Sequence, residues 1–219
     1  MKLDVKTIDV LKNFALISPS IIIKEGNVLT TMSPSKLIIA KAKVPTTFTK
    51  RFAIHNLVQF LGSISMYEDT DLEFTDNYVV IGDKAKSSIN YTYASEASIN
   101  APPEKDLQLP TVDVSVDLTA RALKDVVKHC GILQLPEVAI VGDGSKIYLQ
   151  GLNTEIPTGN VSKIVIGETQ NTFKAIFKIE HLLKLSDNDY HVKISSKGYA
   201  HFKSSDIEYW VVVQSSSSF

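Results

Sequence analysis

Residues 141–146 read Val-Gly-Asp-Gly-Ser-Lys. Glycine, serine and lysine are the residue types with which a loop cradles phosphates, but the spacing is not GxxxxGK[ST]. Asp-Gly between two β-branched runs is instead the commonest two-residue hairpin turn, and the stretch reads as one. Five histidines, at 55, 129, 181, 191 and 201, show no HExxH or comparable ligand spacing, so no metal site is expected. His129 beside Cys130 suggests a thiolate pair. Neighbouring helical positions point about 100° apart, however, and Cys130 falls on an apolar stripe, so it reads as a core residue. The carboxylates are scattered, mostly at turns, and no acid–base pair can be assembled from them. No catalytic residue, metal or cofactor is therefore expected, and the chain does not read as an enzyme.

What remains is charge. Four segments read as helix: 5–15, 55–65, 119–130 and 179–185. In 119–130, Leu123, Val126, Val127 and Cys130 share one face, Thr119 can cap the start and Gly131 follows the end. Arg121, Lys124 and Lys128 share another face. In 5–15, Ile8, Leu11, Phe14 and Ala15 form the apolar stripe, with Lys6 and Lys12 outside it. The four helices carry +1, 0, +2 and 0, a surplus of +3 in a chain of net charge −1, so the rest carries −4. Lysine and arginine are good helix formers on a solvated face, and they are also what a phosphate-facing surface needs.

Elsewhere strand signals dominate: 20–32 broken at Glu25-Gly26, 36–44, three strands in 71–93 with turns at Asp76-Asn77 and Gly82-Asp83, and 111–116. A hairpin in 137–151 and two further strand runs follow, then three strands in 189–214 broken at Lys197-Gly198 and Ser205-Asp206. Residues 95–110 hold three of the eight prolines and no periodicity, the chemistry of a linker. The halves on either side repeat one another. "FAIHNLVQFL" (52–61) lies over "FKIEHLLKLS" (177–186) at an offset of 125, and "VLKNFA" (10–15) over "ALKDVV" (122–127) at 112. In each half three short strands follow the second helix. Lys12 and Lys124 are equivalent in the repeat, as are the polar Asn56 and His181, which could face the same way. An internal duplication accounts for this order. The expected fold is α+β, with domains at 1–94 and 111–219 joined by 95–110, each an antiparallel sheet with two helices on one face.

Composition narrows the setting. Apolar residues at 44% and charged residues at 21% are globular values. No apolar run reaches the roughly 18–20 residues of a membrane span. The charged start "MKLDVK" does not suit a signal peptide, and the single cysteine precludes an intrachain disulfide and fits a reducing cytoplasm.

The start "MKL" with "VLKNFA", the helix end "FLGSIS" at 60–65 and the strand-rich close ending in Phe219, all within a duplicated αβ chain, resemble the sliding clamps of T-even-like phages, the DNA polymerase processivity factors. The resemblance covers nearly the whole chain. It implies a homotrimeric ring with sheets outside and helices lining a hole through which duplex DNA passes without sequence preference. It implies a replicative DNA polymerase and a clamp loader as partners, no membrane, and the cytoplasm of the infected bacterial host. Lys6, Lys12, Arg121, Lys124, Lys128 and Lys184 take DNA-facing roles in that picture. Leu37, Leu107, Leu109, Trp210 and Val212 take the places of a pocket for partner peptides, and for Trp210 core burial is an equal alternative. The longer acidic tail that follows the last strand of the eukaryotic clamp is replaced here by "QSSSSF". Two other readings stand beside the clamp: a two-domain β-rich virion protein without a DNA role, and a single-strand binder, for which the aromatics alternate too regularly within strands.

Overall fold

A computed structural model describes the chain from Met1 to Phe219 apart from Asp69, Lys84 and Asp106. The described residues form two compact units, Met1–Glu104 and Lys105–Phe219.

In the first unit, Asp4 accepts from the Lys6 N–H and caps α1 (Val5–Ile17). Its buried stripe is Thr7, Leu11, Phe14 and Ile17. Thr7 replaces the expected Ile8 because it has a partner: its hydroxyl donates to Thr46 Oγ1 at 2.9 Å, and Thr46 Oγ1 accepts from the Asp4 N–H at 3.0 Å. A buried hydroxyl needs such a bond, and this pair pins the start of α1. The helix lies against β2 (Gly26–Met32) and β3 (Ile38–Phe48), which pair antiparallel. Strand β3 runs past the expected end at 44. Gly26 stands opposite Phe48 but Val28 opposite Lys43, and this irregularity leaves Pro45, which has no N–H to donate, outside the paired positions. A second antiparallel pair joins β1 (Ile21–Ile23) to β4 (Phe52–Ile54). After β4, Asn56 caps α2 (Leu57–Ser65), accepting from the Gln59 N–H at 3.0 Å. A three-stranded antiparallel sheet closes the unit in the order β5 (Leu72–Phe74), β6 (Tyr78–Asp83), β7 (Ser87–Thr92). Gly82 and Asp83, expected in a turn, are the last residues of β6. A single 3-10 turn at Glu96–Ser98 falls in the stretch read as linker.

The second unit opens on β8 (Val114–Leu118) and α3 (Ala120–Leu133). The Thr119 hydroxyl caps α3 as expected, accepting from the Ala122 N–H. The end differs. Gly131 is an exposed residue inside the helix, and Gln134, at φ 53°, makes the left-handed exit. That exit lets the Leu135 N–H reach Cys130 O at 2.9 Å and returns Leu135 to the core. Tertiary burial of Leu135, not the nearest glycine, sets the boundary. A four-stranded antiparallel sheet follows, ordered β11 (Ser162–Glu168), β10 (Lys146–Leu152), β9 (Glu137–Asp143), β12 (Thr172–Lys178). Asp143-Gly144 makes the β9–β10 turn, with Gly144 at φ 88° and Asp143 Oδ1 accepting from the Ser145 and Lys146 N–H groups. After the single turn α4 (Ile179–Leu182) come β13 (Tyr190–Ser195), β14 (Tyr199–Lys203) and β15 (Ile207–Val212), with β8 beyond β13. Helix α3 packs on β9, β10 and β11, and α4 on β12.

The repeat is visible in burial. Phe52 and Phe177 are buried, as are Leu57 and Leu182, while Val58 and Leu183 are both exposed. The repeated phrase is thus the end of a strand followed by a helix start, not one helix. Among the described residues the architecture is α+β with antiparallel sheets and two α-helices in each unit.

Candidate nucleic-acid interface

Helix α3 presents two opposed faces. Ala122, Leu123, Val126 and Cys130 are buried against the sheet, each large apolar side chain contributing about 1.5–3 kcal/mol. The other face carries Arg121, Lys124 and Lys128, all exposed, with Arg121 92% exposed at its side chain. The spacing i, i+3, i+7 brings these three cations together. Each faces a carboxylate. Arg121 Nε is 3.7 Å from Asp125 Oδ2, and Lys128 Nζ is 4.0 Å from Asp125 Oδ1. Lys124 Nζ forms an ion pair with Asp187, in the turn after α4. A shallow cleft of about 140 Å³, lined by Leu123, Val127, Leu182, Leu183 and Leu185, lies beside that pair. Asp125 is legible as an intrahelical neighbour. Asp187 comes from 63 residues away, and no local signal announces it.

On α1, Lys6 and Lys12 are exposed, and Lys12 Nζ lies 3.8 Å from Asp9 Oδ1. Lys184 is half-buried and lies beyond the end of α4, which is shorter than the expected 179–185. Asn56 is exposed and occupied in capping α2. His181 does not face solvent as its partner in the repeat does: it is 6% exposed, its Nε2 lies 3.8 Å from Glu180 Oε1, and Nδ1 has no hydrogen-bond partner among the described residues. Burial holds its pKa below the ordinary value, ahead of the opposing pull of Glu180. A neutral, buried imidazole supplies no charge for phosphate.

The residues expected to meet partner peptides divide between the units. In the first, Leu37 is half-buried after the turn at Lys36, whose φ is 59°. In the second, Leu107 and Leu109 are half-buried in the irregular segment before β8. Val212 lines a cleft of about 430 Å³ with Lys197, Tyr199 and Phe219, between the β13–β14 turn and the chain after β15. Trp210 is not part of that cleft. It is 8% exposed and stacks on His201, with ring centroids 4.5 Å apart and planes within 11°. The thiol of Cys130 is buried, and burial pushes its pKa up, which makes it inert rather than nucleophilic. Among the described residues no group of three metal-ligating side chains is found, and no helix is long and apolar enough to cross a membrane.

The family model "gp45 sliding clamp, C terminal" matches residues 115–215. A sliding clamp of Vibrio phage KVP40 is 28% identical across 98% of this chain and 99% of its own. A sliding clamp of Escherichia phage RB69 is 26% identical across 100% and 99%. Among solved structures, PCNA from Thermococcus kodakaraensis superposes with a TM-score of 0.69 at 13% identity, covering 95% of this chain and 96% of that one. A. fulgidus PCNA, solved with the C-terminal region of FEN-1 bound, gives 0.66 at 11% identity and 94% coverage of each. At those identities the structural likeness speaks for the fold.

Proposed function

We propose that this chain is a sliding clamp of the T-even-like phage type, a class of non-enzymatic proteins to which it is similar along its whole length, and that three copies close head to tail into a ring that encircles duplex DNA and tethers the replicative polymerase. The observation that carries the reading is the pattern of open strand edges. In the three-stranded sheet, β5 is covered on its outer side where the Leu72 N–H donates to Met1 O at 2.8 Å. In the four-stranded sheet, β12 is covered by the chain after β15: Lys174 and Ser218 exchange backbone bonds of 2.8 and 3.0 Å, and the Ile176 N–H donates to Ser217 Oγ. The opposite edges, β7 and β11, have no further strand among the described residues. They are similar in length, Ser87–Thr92 and Ser162–Glu168. An open edge invites a strand from another chain. Each of these two sheets thus keeps one edge open, β7 in the first unit and β11 in the second, and two unlike edges favour heterologous pairing, which closes into a ring when the rotation allows.

The exposed cations of α1 and α3 then supply the loose, sequence-independent attraction that a sliding ring needs. A. fulgidus PCNA binds the C-terminal region of FEN-1; in this chain a partner's tail would lay its apolar anchors against Leu107, Leu109 and the Val212 cleft. A clamp loader would open the ring in the cytoplasm of the infected bacterium. Similarity along the whole chain to phage clamps leaves the virion and single-strand readings without a supporting observation. The test is mass in solution. Light scattering at micromolar concentration is expected to give about three times the 24.2 kDa chain, with a dissociable trimer on dilution. A stable monomer at high concentration sinks the ring.

A further inference from the structure

We infer that Asp125 and Asp187 are attenuators, placed to weaken the grip of α3 on DNA so that the protein slides instead of sticking; the inference rests on the DNA-facing reading of that helix. Three cations stand on its exposed face and two carboxylates answer all three: Asp125 reaches Arg121 at 3.7 Å and Lys128 at 4.0 Å, and Asp187 pairs with Lys124. The face is left with a net charge of +1 instead of +3.

Helix stability is a poor account of Asp125. Aspartate is among the weaker helix formers. It helps near a helix N-terminus, yet Asp125 is the sixth residue of α3, whose first turn has no acidic residue. The Arg121–Asp125 pair, at 3.7 Å, runs with the cation N-terminal to the anion, the less favourable order. The Asp125–Lys128 pair, in the favourable order, spans 4.0 Å and contributes little at an exposed site. Asp187 adds a second carboxylate to the same face from another element. Both choices are explained by what they do to phosphate binding. A cation already beside a carboxylate has a built-in counterion. Contact with a phosphate must then displace the carboxylate, and less bound salt is released in exchange.

The experiment is equilibrium binding of the assembled protein to a fluorescent duplex of about 30 base pairs, by anisotropy over a salt series. Asp125→Asn, Asp187→Asn and the double variant are compared with Arg121→Ala/Lys124→Ala/Lys128→Ala. Asp206→Asn, in the exposed β14–β15 turn, controls for net charge. Asparagine keeps the size of the side chain, and each single variant is measured beside the double, so a folding defect at one position leaves the other as the test. At about 50 mM salt the double variant is expected to bind tenfold or more tighter than wild type, with a slope of log K against log salt steeper by about 1 or more. Wild-type affinity in the aspartate variants, with weakened binding by the triple alanine variant, overturns the attenuation and leaves the DNA-facing reading intact. Wild-type binding by the triple variant overturns that reading and the attenuation with it. Equal tightening by Asp206→Asn also overturns it, because placement would then not matter.

Discussion

Gly151 of β10 lies directly beneath Cys130 of α3: a Cβ on Gly151 would stand 2.6 Å from Cys130 Sγ and 3.2 Å from Leu135 Cδ1. The helix that carries Arg121, Lys124 and Lys128 is therefore seated as close to its sheet as two backbones and one thiol allow. Any side chain at 151 must lift α3 or push Cys130 aside.

Gly151→Ala should accordingly destabilise the protein by about 1–3 kcal/mol, the usual effect of overpacking. Chemical denaturation measures it. Combining it with Cys130→Ala should recover part of the loss, because the clash is with the sulfur. A Gly151→Ala variant of wild-type stability would mean that the helix has slack, and that its cations are not rigidly presented.

Acidification should destabilise the fold before its carboxylates are protonated. Burial holds His201 below the ordinary imidazole pKa, helped by Lys203 and Lys193 and opposed by Glu208, whose Oε2 is 2.9 Å from Nε2. His181 is held low in the same direction. Unfolded, both take up a proton near pH 6.5; folded, they resist it. The unfolded state then binds more protons in that window, so stability is full above about pH 6.5 and declines as pH falls through the folded values. Thermal unfolding between pH 5 and 8 should show this decline, and His201→Gln should flatten it. Asp113 and Glu96 are held below their usual range by their hydrogen-bond partners, so their contribution is lost only at lower pH. A melting temperature constant from pH 8 to 5 would show that neither buried imidazole titrates differently on folding.

Leu107 and Leu109 alternate around the exposed Gln108, so in an extended segment both point to one side. Leu109→Ser should weaken binding of a labelled C-terminal peptide of the cognate polymerase by about tenfold, ~1.4 kcal/mol, while the assembled mass is unchanged. Anisotropy with light scattering on the same sample reads both. Unchanged affinity with an intact assembly would assign Leu109 to connector packing and move the docking site elsewhere.

Local pattern determined much of this protein. The periodicity of Leu11 and Phe14, and of Leu123, Val126 and Cys130, marks the buried faces of α1 and α3 because a helical residue's face follows from its position alone. The same holds for the Asp143-Gly144 turn, whose backbone needs a residue at home with positive φ. The duplication was legible because repeated order and spacing survive where individual residues differ. Tertiary structure decided the rest. Gly131 offered a helix end, but burial of Leu135 moved it to Gln134. His181 and Asn56 occupy the same place in the repeat, yet one is buried and the other caps a helix. Trp210 stacks on His201, a neighbour that the pattern of its own strand does not reveal. The sharpest case is Lys124. Its exposed place on α3 follows from the helical period, but its carboxylate partner, Asp187, lies in the turn after α4. Side-chain periodicity reports which way a residue points within its own element. What waits there from another part of the chain is set by packing, and packing is a property of the whole fold.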